Sequence, residues 1–128
     1  MHIEHAAWTV ADPPAATAWY SAHLGMSVVR RADGPARTHF LADSTGRVLL
    51  EIYHNPKVAV PDYRAMDPLV LHLAFAVEDV GGARARLLAA GASPVGEVAV
   101  TPEGDQMAML RDPWGFPIQV VKRARPMG

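Results

Sequence analysis

His5 stands 46 residues before Glu51 and His72 stands 47 before Gln119, so an imidazole is followed by a side-chain oxygen donor at nearly the same spacing twice in 128 residues. Two neutral imidazoles, one carboxylate and one amide oxygen suit zinc, nickel, cobalt, manganese or iron(II), with positions left for water or for two substrate oxygens. Ligand type does not choose the metal, because two imidazoles and a carboxylate also satisfy the facial-triad rule for non-haem iron. A metal-free cavity is the alternative: each histidine is then a hydrogen-bonded packing residue, and Glu51 pairs with an arginine.

The four residues belong to a longer echo. HAAWTVAD at 5–12 and HLAFAVED at 72–79 share His, Ala, an aromatic ring, Val and Asp at the same five positions. Beyond them, a Gly closing an Ala-rich stretch (Gly25, Gly91) and a D-x-x-G turn (Asp43 to Gly46, Asp112 to Gly115) recur in the same order. A duplicated unit explains this economically, and repeats are settled before any other statement about fold.

Alternation from Ile3 to Val10 predicts a strand with Trp8 and Val10 on one side and His5, Ala7 and Thr9 on the other. Asp12 before Pro13 predicts a helix start, with the helix running through Ala15 to about Leu24 and ending at Gly25. Strands are expected at Ser27 to Arg31, Arg37 to Ala42 and Arg47 to Tyr53, the last with Leu49, Glu51 and Tyr53 on one face. His39, on a middle strand with Arg37 and Leu41, is a lesser candidate for the cavity wall.

The second unit repeats the order. Its first strand, His72 to Val77, leads to an Asp79-capped helix that turns Ala83, Leu87 and Ala90 inward and Arg84 and Arg86 to solvent. Strands follow at Ser93 to Val100, Gln106 to Arg111 and Pro117 to Lys122, and the tail from Arg123 is expected to be loosely ordered. The expected architecture is α+β: two tandem β-α-β-β-β modules, about 1–54 and 69–123 within one domain and joined by a proline-rich linker at 55–68. Curved mixed sheets would enclose a cavity, with the helices outside. His5, Glu51, His72 and Gln119 then occupy equivalent positions on first and last strands.

Composition excludes several chemistries. The chain has no cysteine, hence no disulfide, thiolate metal site or cysteine nucleophile. Its four serines fall in no G-x-S-x-G context. A formal charge of −1 gives no stripe for nucleic acid, and no long apolar run or signal-peptide pattern points to a membrane, so a cytoplasmic protein with a small-molecule substrate is expected. His2, His23 and His54 are expected at the surface, and Trp8, Trp19 and Phe75 in helix–sheet cores. Trp114 is expected to pack in its turn.

HAAWTVADPPAATAWYSAHLGM, LLEIY, LHLAFAVED and RDPWGFPIQVV together resemble the vicinal-oxygen-chelate superfamily, which includes glyoxalase I, methylmalonyl-CoA epimerase, extradiol dioxygenases and bleomycin-resistance proteins. The resemblance covers nearly the whole chain. It implies a divalent metal held by His5, Glu51, His72 and Gln119, with zinc, nickel or cobalt ahead of iron or manganese. Gln119 departs from the family's pattern, since glyoxalase I has Glu at that position. The implied activity is that of a glyoxalase-like isomerase or lyase: a substrate with vicinal oxygens chelates the metal, the ion stabilises an enediolate, and Glu51 acts as base. A non-haem iron dioxygenase and a non-catalytic protein that sequesters a drug or metabolite are the alternatives. The resemblance also implies a homodimer whose modules complete each other's sites. Arg37, Lys57, Arg64 and Arg111 are the cations available to an acidic substrate.

Overall fold

Each half of the chain folds as β-α-β-β-β, in the order the repeat predicts. The computed structural model describes residues 1–128, apart from the side chains of 48 and 49. The expected placing of Leu49 beside Glu51 therefore lies outside the described residues. The elements are β1 (Ala6–Thr9), α1 (Pro13–His23), β2 (Ser27–Arg31), β3 (His39–Ala42), β4 (Val48–Tyr53), β5 (Leu73–Ala76), α2 (Val80–Ala89), β6 (Ser93–Val100), β7 (Gln106–Arg111) and β8 (Pro117–Lys122). Two compact units divide at Pro61 and Asp62, and each holds one four-stranded mixed sheet, ordered β1-β4-β3-β2 and β5-β8-β7-β6.

Both helices start where a carboxylate can accept a free backbone N–H. Asp12 Oδ1 accepts from Ala15 N at 3.2 Å, and Asp79 Oδ1 accepts from Gly82 N at 2.9 Å. Both stop before a glycine in the left-handed region, Gly25 at φ +67° and Gly91 at φ +104°. One face of each sheet packs on its helix. In unit 1 this face carries Trp8, Leu41, Leu50 and Ile52 against Ala16, Trp19 and Tyr20; in unit 2 it carries Leu110, Ile118 and Val120 against Val80, Ala83 and Leu87. Trp8 and Tyr20 lie 6.2 Å apart as tilted rings, so the first tryptophans are core residues as expected, while Phe75 is half-buried.

The two D-x-x-G segments are the same turn. Asp43 Oδ1 accepts from Thr45 N at 2.9 Å, and Asp112 Oδ1 accepts from Trp114 N and Phe116 N at 3.0 and 2.9 Å. Each closes with a glycine N–H donating to the aspartate carbonyl, where positive φ is required. The Thr45 hydroxyl and amide hold the Asp43 carboxyl below its usual range.

Four expectations are corrected. The strand expected from Arg37 starts at His39, because Arg37 closes the preceding turn at φ +45° and interrupts the alternation. Arg84 does not point to solvent: its side chain is four-fifths covered, lies against β6 and donates to the Gly96 carbonyl at 3.1 Å. His54 is half-buried, with Nδ1 2.9 Å from the Val10 carbonyl, and so ties the ends of β1 and β4 together. The C-terminal tail is held at its start, where Arg123 and the Ala124 amide bond to Asp105 at 2.7 and 2.8 Å.

Within the connection at 55–68, Tyr63–Ala65 forms one 3-10 turn against unit 2. Tyr63 is buried on Phe116 with ring centroids 5.1 Å apart, and Arg111 donates to the Tyr63 and Met66 carbonyls at 2.8 and 2.7 Å. Gly115 makes this possible: a Cβ there would sit 2.8 Å from Arg64 Cβ and 3.0 Å from Arg64 N, at φ +92°. Gly115→Ala is therefore expected to destabilise the protein by about 2–4 kcal/mol through strain and overpacking. Urea unfolding should show a lower midpoint at unchanged slope. A wild-type midpoint would refute the close packing.

Candidate metal centre

In each sheet the first strand runs parallel to the last, and that pairing decides which side chains share a row. Ala7 pairs with Glu51 in unit 1 and Ala74 with Gln119 in unit 2. Each histidine thus sits two residues before the register partner of the oxygen donor, on the strand approach just ahead of β1 or β5. Alternation puts the pair on the face away from the helix. The repeat equivalence inferred from spacing is present in the backbone register of both units.

In unit 1 the pair meets. His5 Nε2 lies 3.1 Å from Glu51 Oε2, with about a third of the His5 side chain and a fifth of the Glu51 side chain exposed. Phe40, paired with Glu51 across β3 and β4, presents its ring edge-on to the imidazole at 5.5 Å and 87°. Glu4 hydrogen-bonds to His5 Nδ1 and leaves Nε2 as the nitrogen aimed at Glu51. A carboxylate on the outer nitrogen fixes the orientation and raises the basicity of a metal-binding imidazole. Neither Glu4 nor Phe40 stands out in the sequence. Only adjacency to His5 could have pointed to Glu4, and the residue before His72 is Leu71.

In unit 2 the two residues are held separately. His72 Nδ1 lies 2.8 Å from the Pro68 carbonyl and donates to it, which leaves Nε2 as the nitrogen directed elsewhere. Gln119 Nε2 donates to Met107 Sδ at 3.7 Å, which leaves the amide oxygen as the acceptor. Both side chains are half-buried. Among the described residues no group of three or more His, Asp or Glu side chains is gathered closely enough to hold a metal. The donor types by themselves suit a divalent ion: an imidazole beside a carboxylate in one unit, and an imidazole and an amide oxygen in the other.

His39 is not in this row. Its register partner on β4 is Ile52, which is fully buried, so His39 lies on the helix side of the sheet, with Nδ1 2.7 Å from the Arg37 carbonyl. Tyr53 does share the alternation of Glu51. Among the candidate cations, three are tied to backbone carbonyls: Arg37 to Ala11, Arg64 to Pro113, and Arg111 to Tyr63 and Met66.

Two β-α-β-β-β units, each a four-stranded mixed sheet with a helix on one face, define the fold class. The chain belongs to the glyoxalase/bleomycin resistance protein/dioxygenase superfamily, whose family model matches residues 2–120. Among solved structures it is similar to a glyoxalase family protein from Enterococcus faecalis, at 26% identity and a TM-score of 0.70, covering 94% of this chain and 96% of that one. A glyoxalase-related enzyme from Fulvimarina pelagi shares the fold at 22% identity and a TM-score of 0.74, covering 99% and 92%. A glyoxalase I variant from Zea mays shares it at 24% identity and a TM-score of 0.75; the match covers 96% of this chain and 46% of the maize one. No curated protein sequence matches. Among the described residues no helix is long and apolar enough to cross a membrane.

The His5 pKa is raised above the ordinary histidine value, first by the Glu4 hydrogen bond and then by the charges of Glu4 and Glu51, against partial desolvation. The resulting contribution to folding is complete below the unfolded-state pKa and is lost as pH rises through the raised one. NMR titration of the metal-free protein should place the His5 midpoint above that of an unfolded peptide. Glu4→Gln should lower it more than Glu51→Gln does. Equal midpoints in all three proteins would remove the two carboxylates as its cause.

Proposed function

We propose that this chain is a metal-dependent isomerase or lyase of glyoxalase type, with His5, Glu51, His72 and Gln119 as the metal ligands. The substrate is small and carries two adjacent oxygens. The observation that carries this reading is His5 Nε2 facing Glu51 at 3.1 Å with its other nitrogen held by Glu4. The second unit repeats the register with His72 and Gln119. A divalent ion bound by these four groups would supply fixed positive charge where negative charge develops on the substrate oxygens.

The remaining chemistry belongs to the chain. Glu51 removes a proton from one substrate carbon and returns it to the neighbouring carbon. Glu4 holds the His5 ring so that Nε2 stays directed at the site. Gln119 orients but cannot take a proton, and Tyr53 lines the approach on the Glu51 face. With His39 on the helix side, the second group that a two-base epimerisation needs would have to be Tyr53, and the proposed reaction is a one-base transfer by Glu51. A proton on His5 Nε2 competes with the ion, so metal affinity should fall as pH drops through the His5 midpoint.

Metal content of protein purified without chelator tests this. About one ion per four-residue site is expected, with loss in both His5→Ala and His72→Ala. Glu51→Gln should keep part of the metal, while proton exchange into 2-oxoaldehyde–thiol adducts, followed by NMR in deuterium oxide, drops by about 10²–10⁴-fold. Iron together with oxygen uptake would support the dioxygenase instead. No metal after reconstitution would leave a binding protein.

The same proposal includes a homodimer in which His5 and Glu51 of one copy work with His72 and Gln119 of the other. Mixing the two alanine variants should then restore metal, because one of the two sites in a mixed dimer has all four ligands. If the mixture stays empty, the ligands come from one chain.

A further inference from the structure

The two units differ most between the helix and the edge strand of the sheet. In unit 1 this space is an open groove of about 530 Å³, walled on the helix side by Pro14, Thr17, Ala18 and Ser21 and on the strand side by β2 and His39. The helix residues are spaced as one stripe of α1, and all are small. Val28 and Val29 are partly exposed at its rim, and Arg31, paired with His39 in the register, adds a guanidinium group on the helix side of the sheet.

Unit 2 shows what occupies the equivalent place when the chain fills it itself. Thr17 is five residues past the Asp12 cap; five past the Asp79 cap is Arg84. Ser21 likewise corresponds to Leu88. Counting from the serine that opens each edge strand, Arg31 corresponds to Glu97. Arg84 lies across β6, with its guanidinium 3.1 Å from the Gly96 carbonyl and 3.4 Å from Glu97. In unit 2, then, the helix supplies a cation and the edge strand an anion, with the Arg84 stem laid across the strand and Glu97 exposed.

Unit 1 reverses half of that arrangement. The cation has moved to the edge strand, and the helix offers hydroxyls instead of an acid. Among the described residues neither Arg30 nor Arg31 has an ion pair. Thr17, 3% exposed in the groove wall, has a buried hydroxyl with no hydrogen-bond partner. Buried polar atoms are normally paired, so the exception calls for an explanation. His39, with Nδ1 on the Arg37 carbonyl, keeps Nε2 for another partner.

We propose that the groove between α1 and β2 binds a small amphipathic anion. Its carboxylate or phosphate head sits between Arg31 and His39, and its apolar body lies along Pro14, Ala18 and Val28. Guanidinium groups match both heads bidentately. The volume is that of an ordinary small-molecule site. The groove lies on the opposite face of the sheet from Glu51, so this proposal stands independently of the metal.

The test is titration of isotope-labelled protein with hexanoate and hexyl phosphate, with hexylammonium as the control. Both anions should shift the amide signals of residues 17–21 and 28–31 saturably, and the tighter of the two identifies the head group. Thr17→Arg combined with Arg31→Glu copies the unit 2 pair into unit 1 and should abolish binding while circular dichroism and metal content stay as in the wild type. If the double variant does not fold, Arg31→Gln with Ser21→Leu replaces it and should weaken binding at least about tenfold. Absence of saturable shifts with either anion, equal binding of hexylammonium, or undiminished binding in a folded variant would overturn the proposal.

Discussion

Parallel pairing of the first strand with the last is the constraint from which the rest of each unit follows. A parallel neighbour cannot be reached by a tight turn, so the chain must cross the sheet before the last strand returns beside the first. Here the crossing takes α1 with β2 and β3, or α2 with β6 and β7. The helix covers one face, and the oxygen donors lie on the other. Because β1 and β5 are edge strands paired on one side only, their N-terminal approaches are not committed to a ladder, and His5 and His72 sit on those approaches. The oxygen donors sit on β4 and β8, which are paired on both sides. Each unit therefore presents one donor on a rigid interior strand and one on an approach whose orientation must come from a further hydrogen bond. Glu4 supplies that bond for His5, and the Pro68 carbonyl supplies it for His72.

This also explains what could be read in the sequence. The repeat and its caps gave both helices and all eight strands, because Asp12, Asp79, Gly25 and Gly91 are local signals whose physics needs no partner. The strands β2, β6, β7 and β8 have the bounds expected from their turns. β1, β3, β4 and β5 came out shorter, β4 by one residue at its start. β1 and β5 end where the parallel partner stops pairing, and β3 begins only after Arg37 has left the positive-φ region.

The candidate site was legible to the extent that it depends on register. Glu51 and Gln119 could be matched with His5 and His72 because strand alternation and a duplicated spacing carry the information. Glu4 could not be found this way, since its role comes from the side-chain geometry of a single unit and has no echo beside His72. His39 was misassigned because alternation groups it correctly with Leu41 but does not say which face of the sheet meets the helix. Arg84 was assigned to solvent because helical periodicity says which side of a helix faces the sheet, but not that a long stem can lie across the sheet's edge.

Duplication explains why such differences can accumulate without loss of fold. The helix–sheet core uses equivalent apolar positions such as Ala16 and Ala83 or Tyr20 and Leu87, whereas Glu51 against Gln119 and Glu4 against Leu71 fall outside it. For the proposed metal site the first difference sets the charge: one carboxylate with three neutral donors leaves a divalent ion with a net positive charge near +1, where two carboxylates would neutralise it. Such a site favours substrates that bring their own negative charge or develop it during reaction. It also restricts proton movement. In the proposed site Glu51 is the one carboxylate and Gln119 cannot take a proton, so Glu51 would both take and return it.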